Sequence, residues 1–437
     1  MNEPTVNHYG DSWEYLWPDI GAAVGFASLR ESRGELHGEI WVGLEAPTSN
    51  AGGKNNGHLV WGSFNLSSPQ TRSKMAVTCQ SRSKRGTVDQ WISMLEFACL
   101  NTAEQHRRGE PVFDLADAEA PTQVDYLITP LLPVGEVTSL VADGESGKSV
   151  AALGLALSLR LGGIVIPGLC PTRQVNTLYL DWETSVDEHR RRLQMLCTGL
   201  GIHARPSGIF YRHMTRALAD DQVAVREIID RQDIGFVIID SAGPATGAEL
   251  KESEPVIRLF GALRTFTPTK LLLGHLTKAS ASSGNSERGR MFGSVFFENL
   301  SRSVWEARSD SESDPIEIGF FHRKSNMGRK QKPFAVSLKF DDSQGAAVFK
   351  GMSVYDSPNI AEHAPLSVRM AAALRRGQLT TSELAEELGV SAATIRMTGR
   401  RSETVGAVRQ LTPVAGKGGR GKEAVWGLAA NEEMAKG

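Results

Sequence analysis

Two hydrophobic rhythms alternate along this 437-residue chain. Between Ile20 and Leu66 three β-rich runs, 23–29, 35–44 and 58–66, are separated by Gly, Ser and Asn, a pattern that predicts a small sheet. From Val88 to Arg107 the spacing changes to three and four, with Trp91, Met94, Leu95, Ala98 and Cys99 on one side, which predicts an amphipathic helix. Trp41, Trp61 and Trp91 lie on these patterned segments, so core packing is expected of them rather than base stacking. Arg72, Lys74, Arg82, Lys84 and Arg85 read as a solvated basic turn or as a track for a phosphate backbone. Residues 1–111 are therefore expected to form a small α+β domain of unassigned role, followed by an acidic, Pro-containing linker, 112–127.

Beyond the linker, short apolar runs at 137–141, 177–181, 235–240 and 270–275 alternate with helical patterns. That order predicts βαβ units and a parallel sheet. Residues 334–350 predict a hairpin turning at 341–345, and a looser stretch, 351–365, leads into a third unit, 366–437.

Length alone argues for two or three domains. The formal net charge is −2, so any attraction to nucleic acid must come from local patches. Cys79, Cys99, Cys170 and Cys197 stand far apart, which suggests neither a zinc site nor a disulfide framework and fits a reducing, cytoplasmic setting. The polar N-terminus has no basic-then-apolar leader and no apolar run is of spanning length, so no membrane partner is expected.

The densest chemistry lies at Ala142–Ser149, where a strand pattern runs into a Gly-containing loop and then into the apolar helical run 150–160. The spacing fits a phosphate-binding P-loop, with Ala142 in place of the first glycine. Gly144 and Gly147 let the backbone of Asp143, Glu145, Ser146 and Val150 turn N–H groups toward phosphate oxygens at a helix N-terminus. Lys148 would reach the β- and γ-phosphates and Ser149 would bind Mg²⁺, so ATP and Mg²⁺ are the expected ligands. Phe236–Asp240 is an apolar strand ending in an acid, and Asp240 would hold the metal through its water shell. The strand 177–180 ends in Asp181-Trp182-Glu183. Glu183 is the preferred base for orienting the attacking water and Asp181 the competing one. Ser185 and Glu188 resemble a capping box for the next helix. His275, at another strand end, would donate to the γ-phosphate or its water.

Residues 128–350 resemble the RecA-like core of RepA-type hexameric helicases, relatives of the DnaB replicative helicases. The matching elements are 142–149, 178–183, 238–241, Gly274-His275-Leu276-Thr277-Lys278 and 293–302. The resemblance implies an α/β RecA-like P-loop NTPase core in a homo-oligomer, a hexameric ring, with ATP between neighbouring subunits. It assigns Arg302 the role of a finger entering the neighbour's site and Lys324 that of a second trans-acting cation. Relatives carry Lys-x-Arg at the latter, whereas this chain has Asn326, which shifts weight to Arg302 with Arg329 in reserve. Residues 241–254 and the Ser/Gly-rich 279–291, with Lys278, Arg288 and Arg290, would face a ring channel and grip single-stranded DNA.

At the C-terminus, 382–396 reads as two helices joined at Gly389. Leu384, Leu388, Val390 and Ile395 would pack inward and Ser391 would cap the second helix. The segment resembles a helix-turn-helix whose Thr394, Arg396 and Arg400 face a duplex groove. Two β-like runs, 408–411 and 423–428, enclose Lys417, Arg420 and Lys422 in the manner of a basic wing, so a winged helix contacting DNA or protein is expected. The leading expectation is a DNA-dependent ATPase, a helicase or translocase replicating a plasmid, phage or integrated element. A recombinase or recombination mediator and an ATP-switched DNA-binding regulator are the alternatives.

Overall fold

The computed structural model describes residues 3–9, 12–44, 58–108, 114–116, 123–144, 146–248, 253–276, 295–310, 313–403, 408–411 and 424–428. The chain divides into two compact units, Met1–Thr122 and Gln123–Gly437.

The first unit is an antiparallel meander: β1 (Thr5–Tyr9), β2 (Ser12–Trp17), β3 (Ala22–Ser32), β4 (Glu35–Leu44) and β5 (His58–Asn65), in sequence order across the sheet. It is followed by α1 (Pro69–Ser83) and α2 (Val88–Arg108). In β2 every second residue is buried, so Trp13, Tyr15 and Trp17 enter a core shared with Trp91, Met94 and Leu95 of α2. The Tyr15 hydroxyl is hydrogen-bonded to Thr102 Oγ1 at 2.8 Å. Of the three tryptophans expected in the core, Trp91 is buried and Trp41 half-buried, but Trp61 is 68% exposed. Trp61 pairs with Trp41 across β4 and β5 on the outer face. Trp41 lies over Gly25, where even a Cβ would stand 2.0 Å from the indole.

The basic segment is not a turn. Arg72, Lys74 and Arg82 lie on α1, and Lys84 is its left-handed C-cap. Arg72 and Arg82 donate to the carbonyls of Leu66 and Leu59 at 2.6 and 2.7 Å. Ser68 accepts from the Thr71 amide and Pro69 opens the helix, so capping starts a helix whose apolar stripe is weak.

The second unit opens with β6 (Tyr126–Thr129), β7 (Leu132–Pro133) and β8 (Val137–Ala142), then α3 (Lys148–Leu161), β9 (Cys170–Pro171), β10 (Asn176–Asp181) and α4 (Val186–Gly199). Next come β11 (Ile209–His213), α5 (Gln222–Arg231), β12 (Ile234–Asp240), α6 (Ala242–Thr246), α7 (Ser253–Arg264), β13 (Thr269–His275) and α8 (Val295–Leu300). The strands β14 (Ser303–Asp310), β15 (Ile316–Ser325), β16 (Phe334–Asp341) and β17 (Ala346–Met352) follow. The nine-stranded sheet runs β11-β10-β12-β13-β8-β14-β15-β16-β17. It is parallel from β11 to β14 and antiparallel from β14 to β17, with the expected hairpin closing at Asp341 opposite Ala346. Every residue of β8 is buried, as is most of α3, which explains why their sequences read as continuous apolar runs. Strands β7, β6 and β9 form a small separate sheet.

The C-terminal residues form α9 (Pro358–Ala361), α10 (Leu366–Ala373), β18 (Leu379–Thr380), α11 (Thr381–Glu387), α12 (Ala392–Glu403), β19 (Val408–Leu411) and β20 (Val425–Leu428). The last three strands pair in the order β18-β20-β19. Leu384, Ile395 and Trp426 are buried, with Leu388 and Val390 packed against them. The Trp426 ring occupies the space beside Gly399, where a Cβ would stand 2.2 Å away, and its Nε1 donates to Thr381 Oγ1 at 3.0 Å. Among the described residues no helix is long and apolar enough to cross a membrane.

Lys270, at the start of β13, is only 3% exposed. Its ammonium donates to the carbonyls of Gly135 and Phe266 at 2.7 and 2.8 Å. Burial lowers its pKa from 10.5 to about 8. The folded state therefore binds this proton less tightly than the unfolded chain, and the penalty is relieved as pH rises through 8. Lys270→Met should remove that dependence: wild type should gain about 1 kcal/mol over the variant between pH 7 and 9 in urea unfolding. A parallel pH profile for the two proteins would contradict it.

Candidate nucleotide site

The sheet register brings the predicted residues together. Asp181 is level with Asp240 across β10 and β12, and His275 with Ala142 across β13 and β8. Four chain segments distant in sequence thus end along one edge, where the loop 143–147 enters α3.

Gly147 caps α3 at φ 74°, a left-handed conformation natural for glycine. Ser146 Oγ is buried and has no hydrogen-bond partner among the described residues, and a phosphate oxygen is the acceptor such a hydroxyl needs. Lys148 Nζ donates to the Asp143 carbonyl at 3.4 Å and lies 3.3 Å from His275 Nδ1. Burial lowers the Lys148 pKa, against the pull of Asp240, Glu183 and Asp143. His275 is lowered by burial and then by the Lys148 charge, which favours the neutral ring. Ser149 Oγ donates to Asp240 Oδ2 at 2.8 Å, so the two residues expected to share Mg²⁺ already touch. The set fits the metal: a hydroxyl and a carboxylate, with phosphate oxygens to complete the shell. When bound, Mg²⁺ would neutralise phosphate charge.

Two residues not singled out as functional hold this carboxylate and its neighbour. The fully buried Tyr179 hydroxyl donates to Asp240 Oδ2 at 2.6 Å. Burial raises the Asp240 pKa, against the two hydroxyls. Ser241 Oγ donates to Glu183 Oε1 at 2.9 Å, and Glu183 is otherwise exposed. Asp181 is committed elsewhere. One of its oxygens accepts from the amides of Glu183 and Thr184 at 2.7 and 3.1 Å, and the other lies 2.5 Å from His189 Nε2 of α4. Burial opposes its ionised form, but the hydrogen bonds from His189 and the two amides outweigh that and lower its pKa. The His189 ring packs against Tyr179 and Tyr211, and the Tyr211 hydroxyl donates to the Thr184 carbonyl at 2.6 Å. Asp181, fully buried, thereby positions the turn on which the exposed Glu183 stands. At Ser185, the hydroxyl accepts from the Glu188 amide, but the Glu188 carboxylate turns to Arg191 and Arg192 and does not close the box.

Asp143 Oδ2 pairs with Arg308 Nη1 at 3.2 Å, and Arg308 also pairs with the fully buried Glu306. Glu306 in turn accepts from Arg323 Nε at 2.6 Å, and Arg323 Nη2 donates to the His363 carbonyl at 3.1 Å. Burial works against the Glu306 carboxylate, but the two guanidiniums lower its pKa. A line of charges therefore leads from the P-loop to the segment before α10.

Arg302 and Lys324 lie elsewhere. The Arg302 amide donates to Val137 O, at the start of β8, whereas the P-loop begins at its end, roughly 16 Å along the strand. Its side chain is 55% exposed and 3.8 Å from Glu136. Lys324 Nζ donates to the carbonyls of Glu298, Asn299 and Ser301 at 2.5, 2.9 and 2.9 Å, closing the end of α8. Thr394 is half-buried and its hydroxyl meets Ser391 Oγ at 2.8 Å; Arg396 and Arg400 are exposed along α12. Glu145, Lys278, Arg288, Arg290, Lys417, Arg420 and Lys422 lie outside the described residues.

A strand-loop-helix with its lysine, hydroxyl and strand-end acids defines a P-loop nucleotide site. Residues 102–281 match the family model of an AAA domain, a P-loop ATPase domain. The chain is also similar to a solved KaiC-like protein from the hyperthermophilic archaeon Pyrococcus horikoshii OT3, at 13% identity and TM-score 0.37, over 53% of this chain and 100% of that one. No curated protein matches the sequence.

If Glu183 is the base and Asp181 its support, the two carboxylates separate by kinetics. Glu183→Gln should keep nucleotide affinity and lose hydrolysis by about 10²-fold or more. Asp181→Asn should lower kcat less, because amide contacts survive on one oxygen. Fluorescent-nucleotide titration and steady-state turnover read both. A loss of hydrolysis for Asp181→Asn as large as that for Glu183→Gln, with nucleotide affinity kept, would reverse the assignment.

Proposed function

We propose that the protein is a DNA-dependent ATPase, an oligomeric RepA-like helicase or translocase acting on single-stranded DNA in the replication of a plasmid, phage or integrated element. The observation that supports a shared site is the separation of its parts. Lys148, Ser149, Glu183, Asp240 and His275 gather at one end of the parallel strands, whereas Arg302 stands at the other. In its own subunit Arg302 is too far away to neutralise phosphate charge. In a head-to-tail ring it would meet the neighbour's nucleotide and make turnover depend on assembly.

In this reading Lys148 and His275 contact the phosphates, Asp240 and Ser149 hold Mg²⁺, and Glu183 takes the proton of the attacking water. Lys324 serves as a second cation only if it leaves its three carbonyls, so its role is that of a cap. A further reading, an ATP-switched DNA-binding regulator, draws support from the C-terminal three-helix, three-strand module. There a Ser391-capped helix carries exposed Arg396 and Arg400, which supports reading the module as a winged helix.

Strand displacement from a forked DNA substrate tests the reading directly. Wild type should unwind it with ATP and Lys148→Ala should not. Binding of one duplex sequence without displacement would favour the regulator. Lys148→Ala and Arg302→Ala chains, each inactive, should regain turnover when mixed, since an Arg302→Ala P-loop can receive the finger of a Lys148→Ala neighbour. No recovery in co-assembled chains would remove the shared site.

A further inference from the structure

Between the β15–β16 turn and helices α10 and α12 lies a cleft of about 720 Å³. Lys332, Arg375 and Arg401 line it from three separate segments, and Pro333, Leu366 and Ala371 supply apolar wall. No carboxylate is among the described residues that line it. The turn itself, 326–333, carries Arg329, Lys330 and Lys332 with no acidic residue, in a chain whose net charge is −2. The Arg375 guanidinium lies 4.8 Å from the centre of the Tyr355 ring, which fixes one cation at the wall.

We infer that this cleft binds the sugar-phosphate backbone of a single nucleic-acid strand, in addition to the channel loops and the α12 surface. The inference rests on the DNA-dependent reading above. Charge and size both select the ligand. Three converging cations on apolar wall suit an anionic chain with flat apolar bases. The volume is that of a small-ligand pocket, whereas even the major groove of B-DNA is about 12 Å wide, so a duplex does not enter. A neighbouring hollow of about 380 Å³ makes the contrast: it shares Tyr355 and Arg375 but also holds Glu362 and Glu387, and Arg376 lies 3.5 Å from Glu387. Its described lining sets three arginines, Arg369, Arg375 and Arg376, against two glutamates, whereas the described lining of the larger cleft sets three cations against none.

The position also suits coupling. Tyr355 belongs to the segment that reaches His363, whose carbonyl is held by Arg323 at the end of the ion-pair line from Asp143.

The test is fluorescence anisotropy of a labelled oligo-dT with the full chain over a range of salt, beside a blunt duplex of equal length. The triple substitution Lys332→Gln, Arg375→Gln, Arg401→Gln should weaken single-strand binding about tenfold or more near ~0.1 M salt. It should also reduce the slope of log K against log salt by about 2, at ~0.7 per phosphate contact. Lys332→Arg, Arg375→Lys, Arg401→Lys keeps the charges and should retain both affinity and slope, which separates lost contacts from lost folding. Unchanged affinity and slope in the Gln triple would overturn the inference while leaving the DNA-dependent reading intact. Equal losses on blunt duplex, or loss in the charge-preserving triple, would also overturn it. Absence of single-strand binding by wild type would overturn both.

Discussion

The register of a parallel sheet is the constraint on which everything else here depends. Adjacent parallel strands are joined through crossover helices, so their C-terminal ends gather on one edge whatever the intervening sequence. Register then decides which residues meet at that edge. Here it sets Asp181 level with Asp240 and His275 level with Ala142. A slip of one residue in β12 would turn Asp240 to the other face and take it from Ser149 and Tyr179. The apolar residues that fill both faces of β8, β12 and β13 therefore do more than form a core: their alternation between the two core clusters locks the register that aligns the polar ends.

At that edge polar groups stay organised because each has a partner from another strand. Tyr179 and Ser149 direct two hydroxyls to one oxygen of Asp240, and Ser241 steadies Glu183. Asp181 spends its hydrogen-bonding capacity on His189 and on the turn amides. Of two acids separated by a single residue, burial and hydrogen bonding make one a support for the turn and leave the other exposed.

The strand-loop-helix of 137–160 was legible in the sequence because all its signals are local: an apolar run, glycines at fixed offsets and a lysine at the helix start. So were the strand-end acids and the hairpin of 334–352. The partnership of Tyr179 with Asp240, or of His189 with Asp181, was not, since neither tyrosine nor histidine carries a mark distinguishing a site residue from a core residue until the strands are paired. In the N-terminal unit the alternation of Trp13, Tyr15 and Trp17 did carry the signal of β2, although no strand was expected there. Helix α1 has few apolar positions and depends on Ser68 and Pro69 for its start, so periodicity under-reads it. Trp61 shows the opposite failure: its strand alternates correctly, but the alternation places it on the outer face.

Strand β14 joins the two ends of the second unit. Its residues Ser303–Ala307 pair with β8, so it cannot shift without moving the strand that feeds the P-loop. One of its ends carries the exposed Arg302, and the other carries Arg308, paired with Asp143 in the loop itself. Buried ion pairs such as Glu306 with Arg308 and Arg323 add little net stability, because desolvation offsets much of the attraction, but they penalise any arrangement that leaves one member unpaired. The consequence is geometric: movement of Asp143 is resisted by Arg308, then by Glu306, then by Arg323 and the His363 carbonyl. The P-loop, the exposed arginine at the far edge and the segment leading into the C-terminal helices are thus carried by one strand pair, β14 and β15, and a rearrangement at any one of them is felt by the others.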